Sequence, residues 1–126
     1  MQSKTIHSKK APDPVGPYSP AYQVGDFLFI SGQIPLTNSG EMVTNDFESE
    51  TRQVLQNITE LLASADLTWE NVVKVGIFTT DLNQFDLINK VYEGFVMKPF
   101  PARAAIEVSA LPKGARIEME AIAYVK

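Results

Sequence analysis

Two segments decide the fold of this chain: Pro101-Ala102-Arg103-Ala104-Ala105-Ile106-Glu107-Val108 and Ile117-Glu118-Met119-Glu120-Ala121-Ile122-Ala123. Both alternate their side chains with the two-residue period of a β-strand. Small residues flank Arg103, so its guanidinium has open space in which to bind a small carboxylate through two parallel hydrogen bonds. Glu118, on a nearby strand, could transfer protons or orient a water beside the bound acid. The alternative is a surface ion pair between Arg103 and Glu118 or Glu120, and these two segments alone slightly favour it.

Length and composition are those of an ordinary globular protein. The chain has 126 residues, of which 44% are hydrophobic and 21% charged. We expect one domain over residues 1–126, large enough to bury a core without cross-links. No apolar run is long enough to cross a bilayer, and we expect neither a membrane span nor a secretory signal. Because cysteine is absent, disulfides and thiolate chemistry are excluded, and a cytoplasmic location is expected.

Charge and histidine content narrow the function further. A net charge of −4 argues against nucleic acid as a partner, because phosphate binding needs a concentrated basic face. The single histidine, His7, lies near the N-terminus with no carboxylate cluster close in sequence. We therefore expect neither a metal site nor a cofactor.

Hydrophobic periodicity predicts strands, a helix, a strand, a helix and two further strands. The expected hairpin pairs residues 21–24 with 27–31 around Gly25-Asp26. Helices are predicted over 45–65, where Asn45 and Glu48 resemble a capping arrangement, and over 84–96. The other predicted strands cover 5–8, 72–80, 102–108 and 116–124. A proline-rich segment, residues 11–20, predicts a stiff extended loop.

This order of elements predicts an α+β protein with a mixed sheet. Two helices can cover only one face of such a sheet, yet both faces carry apolar residues. Phe27 and Phe29 oppose Leu28 and Ile30 on one strand. We therefore expect the uncovered face to pack against another subunit, with a ligand cleft where subunits meet.

Four separated stretches together resemble one family, the reactive intermediate deaminases (the YjgF or RidA group of enamine/imine deaminases). The similarity spans nearly the whole chain, and the four stretches occur in the order and spacing of that family. They are Gly16-Pro17-Tyr18-Ser19-Pro20-Ala21, Phe29-Ile30-Ser31-Gly32-Gln33-Ile34-Pro35, the segment 101–108 quoted above, and Leu111-Pro112-Lys113-Gly114-Ala115-Arg116 continuing through residues 117–123.

The resemblance implies a chorismate-mutase-like fold, a six-stranded mixed sheet with two helices on one face, and a homotrimer with sites between subunits. It also implies hydrolysis of 2-imino acids, such as 2-iminobutanoate and 2-iminopropanoate, to 2-oxo acids and ammonia. In that family an arginine matching Arg103 binds the substrate carboxylate, and a glutamate matching Glu118 positions or activates water. Further matching pocket positions are Tyr18, Ser31, Gly32 and Asn89. Ala105 occupies a position where many members have cysteine, serine or threonine.

Two other functions stay open at this point. A trimer of the same fold could bind 2-oxo acids without turning them over and act in regulation. A ribonuclease activity, ascribed to some relatives, is disfavoured by the acidic charge and the lack of a general-base histidine. Simpler roles also stay open for individual residues: ring packing for Tyr18, a turn role for Ser31, solvent exposure for Asn89, and core packing for Phe85, Tyr92 and Phe95.

Overall fold

The computed structural model describes residues 2–125. Six strands form one sheet in the order β1-β2-β3-β6-β4-β5, in which only β4 and β5 run parallel. The strands are β1 Ser3–Ile6, β2 Ala21–Val24, β3 Phe27–Gln33, β4 Val72–Thr79, β5 Ala102–Glu107 and β6 Ile117–Tyr124; the helices are α1 Phe47–Ser64 and α2 Phe85–Glu93. The predicted α+β class and mixed six-stranded sheet are confirmed.

The two faces of the sheet differ in what covers them. On β6, Ile117 and Met119 are fully buried beneath the helices, while Glu118 and Glu120 lie on the opposite side. We call the first side the helix face and the second the open face. Large apolar side chains remain exposed on the open face: Tyr22, Phe27, Phe29 and Tyr124. The predicted alternation of buried and uncovered residues along β6 is confirmed.

Several element ends differ from the prediction. Strand β1 begins two residues earlier than expected, and β3 continues past Ser31 to Gln33. The continuation contains a bulge, because the register shifts between Ile30 and Gln33 while β6 advances only from Ala121 to Met119. One extra residue on β3 is therefore accommodated next to Glu118, the kind of irregularity that redirects side chains beside functional sites.

The helix ends were also predicted imprecisely. Asp46, not Asn45, caps α1: its Oδ1 accepts a 2.8 Å hydrogen bond from the backbone amide of Ser49. Helix α2 ends at Glu93, three residues before the predicted end, and Gly94 follows as its C-cap. The backbone amides of Phe95 and Val96 both donate to the carbonyl of Tyr92, which closes the last turn.

A buried asparagine joins α1 to the segment that follows β3. The side-chain amide of Asn57 donates to the carbonyls of Ile34 and Leu36 at 3.2 and 2.9 Å. Its Oδ1 accepts a hydrogen bond from Gln53 at 2.9 Å. Because Asn57 is fully buried, these bonds satisfy polar groups that would otherwise be costly to bury. The chain immediately after the bulge is thereby fixed against the helix.

We expect Asp46→Ala to lower the melting temperature by about 3–5 °C, because the change removes the acceptor for an N-terminal helix amide. The Ser49 hydrogen bonds hold the pKa of Asp46 below its ordinary value. The stabilisation is therefore present at neutral pH and is lost as the pH falls through that lowered pKa. Thermal denaturation at equal protein concentration measures the effect. Asn45→Ala is the matched control, and an equal loss in that variant would contradict the assignment of Asp46 as the cap.

Candidate active site

Arg103 lies on β5, the edge strand of the sheet, and on its helix face. Its register partner on β4 is Val75, which is fully buried beneath the helices. The guanidinium is half-buried, and its Nη1 donates a 2.8 Å hydrogen bond to Oδ1 of Asn89 on α2. The side chain that the sequence predicted as the carboxylate clamp is therefore held between the edge strand and the second helix.

Two aromatic rings complete the surroundings of this guanidinium. Its central carbon lies 5.3 Å from the ring centroid of Phe85 and 5.1 Å from that of Tyr92, both distances within the range of cation–π attraction. Burial raises the pKa of the Tyr92 phenol, although the charge of Arg103 opposes the shift. The phenol therefore stays neutral at physiological pH. The helix thus orients the cation with an amide oxygen and two π faces, none of which carries a negative charge.

No ion pair to Arg103 occurs within residues 2–125. The alternative of a pair with Glu118 or Glu120 is wrong, because both glutamates lie on the open face and Arg103 lies on the helix face. Guanidinium groups carry five N–H donors, and Asn89 takes one of them. Arg103 can therefore still offer two parallel donors to a small carboxylate.

Glu118 lies on the open face of β6, directly against the bulge in β3. A Cβ atom built on Gly32 would lie only 2.5 Å from Oε2 of Glu118. The carboxylate therefore occupies the space that any other residue at position 32 would need for its side chain. This contact gives Gly32 a physical reason to be glycine, and it brings Gly32 and Glu118 together as the sequence predicted.

The carboxyl of Glu118 is unusually easy to protonate. Burial raises its pKa above the ordinary value of 4.5, and the charge of Glu120 raises it further. Within residues 2–125, no hydrogen bond or ion pair is found for this carboxyl that would offset the burial. A half-buried carboxylate with a raised pKa is a better proton acceptor than an exposed one, as a general base requires.

Glu120 repeats the same arrangement one position further along the face. A Cβ built on Gly76 of β4 would lie 3.1 Å from Cγ of Glu120. Glu120 also lines a hollow of about 320 Å³ on the open face, together with Tyr22, Phe29 and Lys74. Sequence reasoning left Glu120 as structural, and its position beside Glu118 gives it an electrostatic effect on that neighbour.

Tyr18 and Ser31 both belong to the contact between the proline-rich loop and β3. The hydroxyl of Ser31 donates to the carbonyl of Ser19 at 2.6 Å, and its backbone amide donates to the carbonyl of Pro20 at 2.9 Å. The expected open backbone amide at Ser31 is therefore occupied within the chain. Tyr18 is exposed, accepts a hydrogen bond from the amide of Val15, and lines a small hollow that also includes Gly32.

The seven predicted site residues thus form two groups on opposite faces of the sheet. The first, which we call the arginine half, contains Arg103, Asn89 and Ala105 on the helix face. The second, the glutamate half, contains Glu118, Gly32, Ser31 and Tyr18 on the side of the open face. Within one chain the sheet itself separates the two halves.

Comparison with known proteins agrees with this architecture. A family model described as endoribonuclease L-PSP matches residues 8–125. The chain belongs to this family, the YjgF/RidA family. The family membership expected from the four sequence stretches is therefore confirmed.

Relatives within the family carry different names. A RutC family protein of Pyrococcus abyssi is 46% identical over 125 residues, covering 98% of each chain. The human protein named 2-iminobutanoate/2-iminopropanoate deaminase is 43% identical over 121 residues, covering 95% of this chain and 88% of its own. The crystal structure of E. coli TdcF with bound serine superposes with a TM-score of 0.90 at 35% identity, covering 96% of this chain and 98% of that one.

Phe85 and Tyr92 are the functional neighbours that sequence reasoning placed in the core of this YjgF/RidA-family chain. Tyr92 is indeed buried, but its ring also faces the Arg103 guanidinium. A signal was present in the sequence, since Phe85, Asn89 and Tyr92 are spaced four and three residues apart and so share one helix face.

Two searches of residues 2–125 gave negative results. They contain no group of three or more histidine, aspartate or glutamate side chains placed to hold a metal ion. Over the same residues, no helix combines the length and apolar character needed to span a bilayer.

We expect Glu118→Gln to raise the melting temperature at neutral pH, because the amide does not carry the charge that burial disfavours. A raised pKa means that ionisation opposes folding as the pH rises, so the gain should vanish below the ordinary glutamate pKa. Thermal denaturation between pH 4 and 8 measures this, with the exposed Glu70→Gln as a control for loss of one charge. A gain that is constant across the pH range would contradict the expectation.

We expect Gly32→Ala to displace the Glu118 carboxylate, since the new methyl group would occupy its place. Activity should fall as strongly as in Glu118→Gln, while secondary structure by circular dichroism stays native. Gly16→Ala is a suitable comparison because a Cβ there would meet only ordinary contacts, the nearest at 3.5 Å. A fully active Gly32→Ala enzyme would refute the proposed seating of the carboxylate.

Proposed function

We propose that this protein is a homotrimeric deaminase that hydrolyses short 2-imino acids, such as 2-iminobutanoate and 2-iminopropanoate, to 2-oxo acids and ammonia. Each site would combine the arginine half of one subunit with the glutamate half of its neighbour. The observation that carries the proposal is the separation of Arg103 and Glu118 by the sheet, because a site that uses both side chains then needs a second chain.

The open face supports the association. Tyr22, Phe27, Phe29 and Tyr124 expose between 37% and 45% of their surface there. Phe27 and Tyr124 pack against each other across neighbouring strands, with ring centroids 5.5 Å apart. Contiguous exposed aromatic surface of this kind is typical of a subunit interface. An assembly that covers it would also bring the glutamate half towards a neighbouring chain.

The chemistry needs few groups. Water adds to C2 of the protonated imine, forming a carbinolamine, and the C2–N bond then breaks to release ammonia and leave the 2-oxo acid. Arg103 would hold the substrate carboxylate in a fixed orientation, because Asn89 and the two rings already hold the guanidinium. Glu118 would accept a proton from the attacking water and return it to the departing nitrogen, a role that suits its raised pKa.

Relatives support this assignment at the level of their names. The human relative is named for deamination of 2-iminobutanoate and 2-iminopropanoate. The E. coli TdcF structure holds serine, a small molecule with a carboxylate of the kind that Arg103 would bind. Relatives with the general RutC name are somewhat more similar to this chain, so the substrate must be established by assay.

Two competing functions have observations in their favour. The arginine half could bind a 2-oxo acid without catalysis, and the carboxylate clamp alone supports this. The family description names an endoribonuclease, but the net charge of −4 and the single arginine in the site offer little to an RNA backbone.

We expect the protein to accelerate formation of 2-oxobutanoate when a threonine dehydratase generates 2-iminobutanoate in the same vessel. Arg103→Lys should lower kcat/KM by about 10- to 100-fold, because an ammonium group cannot form the paired hydrogen bonds of a guanidinium. Arg52→Lys, an exposed arginine of α1 paired with Glu48, is the matched control. Measurable 2-oxobutanoate binding without acceleration would contradict the deaminase and favour the regulatory protein.

We expect a mixture of two inactive variants to regain activity. Co-expressed Arg103→Ala and Glu118→Gln chains should form mixed trimers in which about a quarter of the interfaces carry both native side chains. Activity of about a quarter of the wild-type value therefore supports a site between subunits. Each variant alone must be inactive and trimeric by sedimentation, and a mixture without activity would place Arg103 and Glu118 in separate roles.

A further inference from the structure

An open apolar space lies beside Arg103, on the side away from Phe100 and Pro101. Its volume is about 500 Å³, and it is lined by Leu82, Phe85, Arg103 and Ala105. Apart from the guanidinium, every side chain of this lining is apolar. We call it the side-chain pocket.

The strand geometry relates this pocket to the carboxylate clamp. Arg103 and Ala105 are two positions apart on β5, so both project from the helix face, about 7 Å apart along the strand. The register partner of Ala105 is Ile77, which is fully buried and forms the layer beneath. Only the methyl group of Ala105 rises above that layer, so the residue at position 105 determines how deep the pocket is.

The opposite wall is held in place by backbone contacts. Leu82 begins a short helical turn before α2, and its amide donates a 2.9 Å hydrogen bond to Oε1 of Glu107. The side chain of Glu107 is thereby tied to the backbone at the far end of the pocket. Leu82 and Phe85 thus present a fixed apolar wall across from Ala105.

We propose that the side-chain pocket binds the side chain of the 2-imino acid and that Ala105 makes it large enough for branched or aromatic apolar side chains. The reaction itself rests on the function proposed above. A carboxylate held by Arg103 places the carbon chain of a short acid over the next position on the same face. Burial of additional methylene groups against Leu82, Phe85 and Ala105 then increases affinity.

Binding of product-like 2-oxo acids tests the pocket without relying on catalysis. Calorimetry should show about tenfold tighter binding of 4-methyl-2-oxopentanoate than of 2-oxobutanoate, because each buried methylene contributes up to about fourfold. Ala105→Val should weaken binding of 4-methyl-2-oxopentanoate by about tenfold and change that of 2-oxobutanoate by less than about twofold.

The fold should tolerate this substitution, because valine is favoured in β-strands. Melting temperature and circular dichroism verify this point. Ala63→Val, at an exposed position of α1, is the matched control and should keep the wild-type preference. Ala105→Gly should also keep it, because a smaller residue does not narrow the pocket.

A second assay joins the pocket to the reaction. An amino acid oxidase generates imines from leucine or 2-aminobutanoate, and the protein should accelerate hydrolysis of both, with the leucine imine lost selectively in Ala105→Val. Acceleration of the short imine with no effect of chain length on binding or rate would overturn the pocket and leave the deaminase standing. No acceleration of any imine, with the binding preference and its loss in Ala105→Val intact, would refute the deaminase and support the pocket. A preference for a cationic side chain would overturn the apolar assignment and indicate Glu107 as its partner.

Discussion

Alternation of side chains between the two faces of a strand is the constraint on which the rest of this structure depends. It directs Arg103 of β5 under the helices and Glu118 of β6 to the uncovered side. The cation and the carboxylate therefore cannot neutralise each other within the chain. Both remain available for an external molecule, at the cost of leaving two charges without an ionic partner in residues 2–125.

Each charge is stabilised by a different local device. The guanidinium is stabilised by neutral groups of α2, whose amide oxygen and ring faces favour a cation without cancelling it. The carboxylate of Glu118 is placed by the absence of a side chain at Gly32, and nearby Glu120 makes its ionised state less favourable. The first device keeps a binding group rigid and charged, and the second keeps a reactive group close to its protonation equilibrium.

Sequence patterns predicted the element types and their order because hydrophobic periodicity reports local burial directly. They predicted less well where neighbouring residues have similar chemistry. Asn45 and Asp46 can both cap a helix, and only the geometry at Ser49 decides between them. Ser31 looked like a strand end with an open amide, but the distant Pro20 carbonyl accepts that hydrogen bond.

The candidate site was predictable in its membership and not in its arrangement. Small residues occur on both sides of β5, so its sequence does not indicate which face the helices cover or where Arg103 points. The stacking of Phe85 and Tyr92 on Arg103 depends on how α2 packs against the sheet, which no local pattern encodes. The grouping into two halves therefore required the three-dimensional structure.

The buried amide of Asn57 has a consequence for local stability. It attaches the segment after the β3 bulge to the middle of α1 rather than to another strand. Fraying of that helix would release Ile34 and Leu36 and, with them, the strand end that holds Gly32. Amide protons of α1 and of the bulge should therefore exchange with solvent as one cooperative unit, distinct from the outer hairpin.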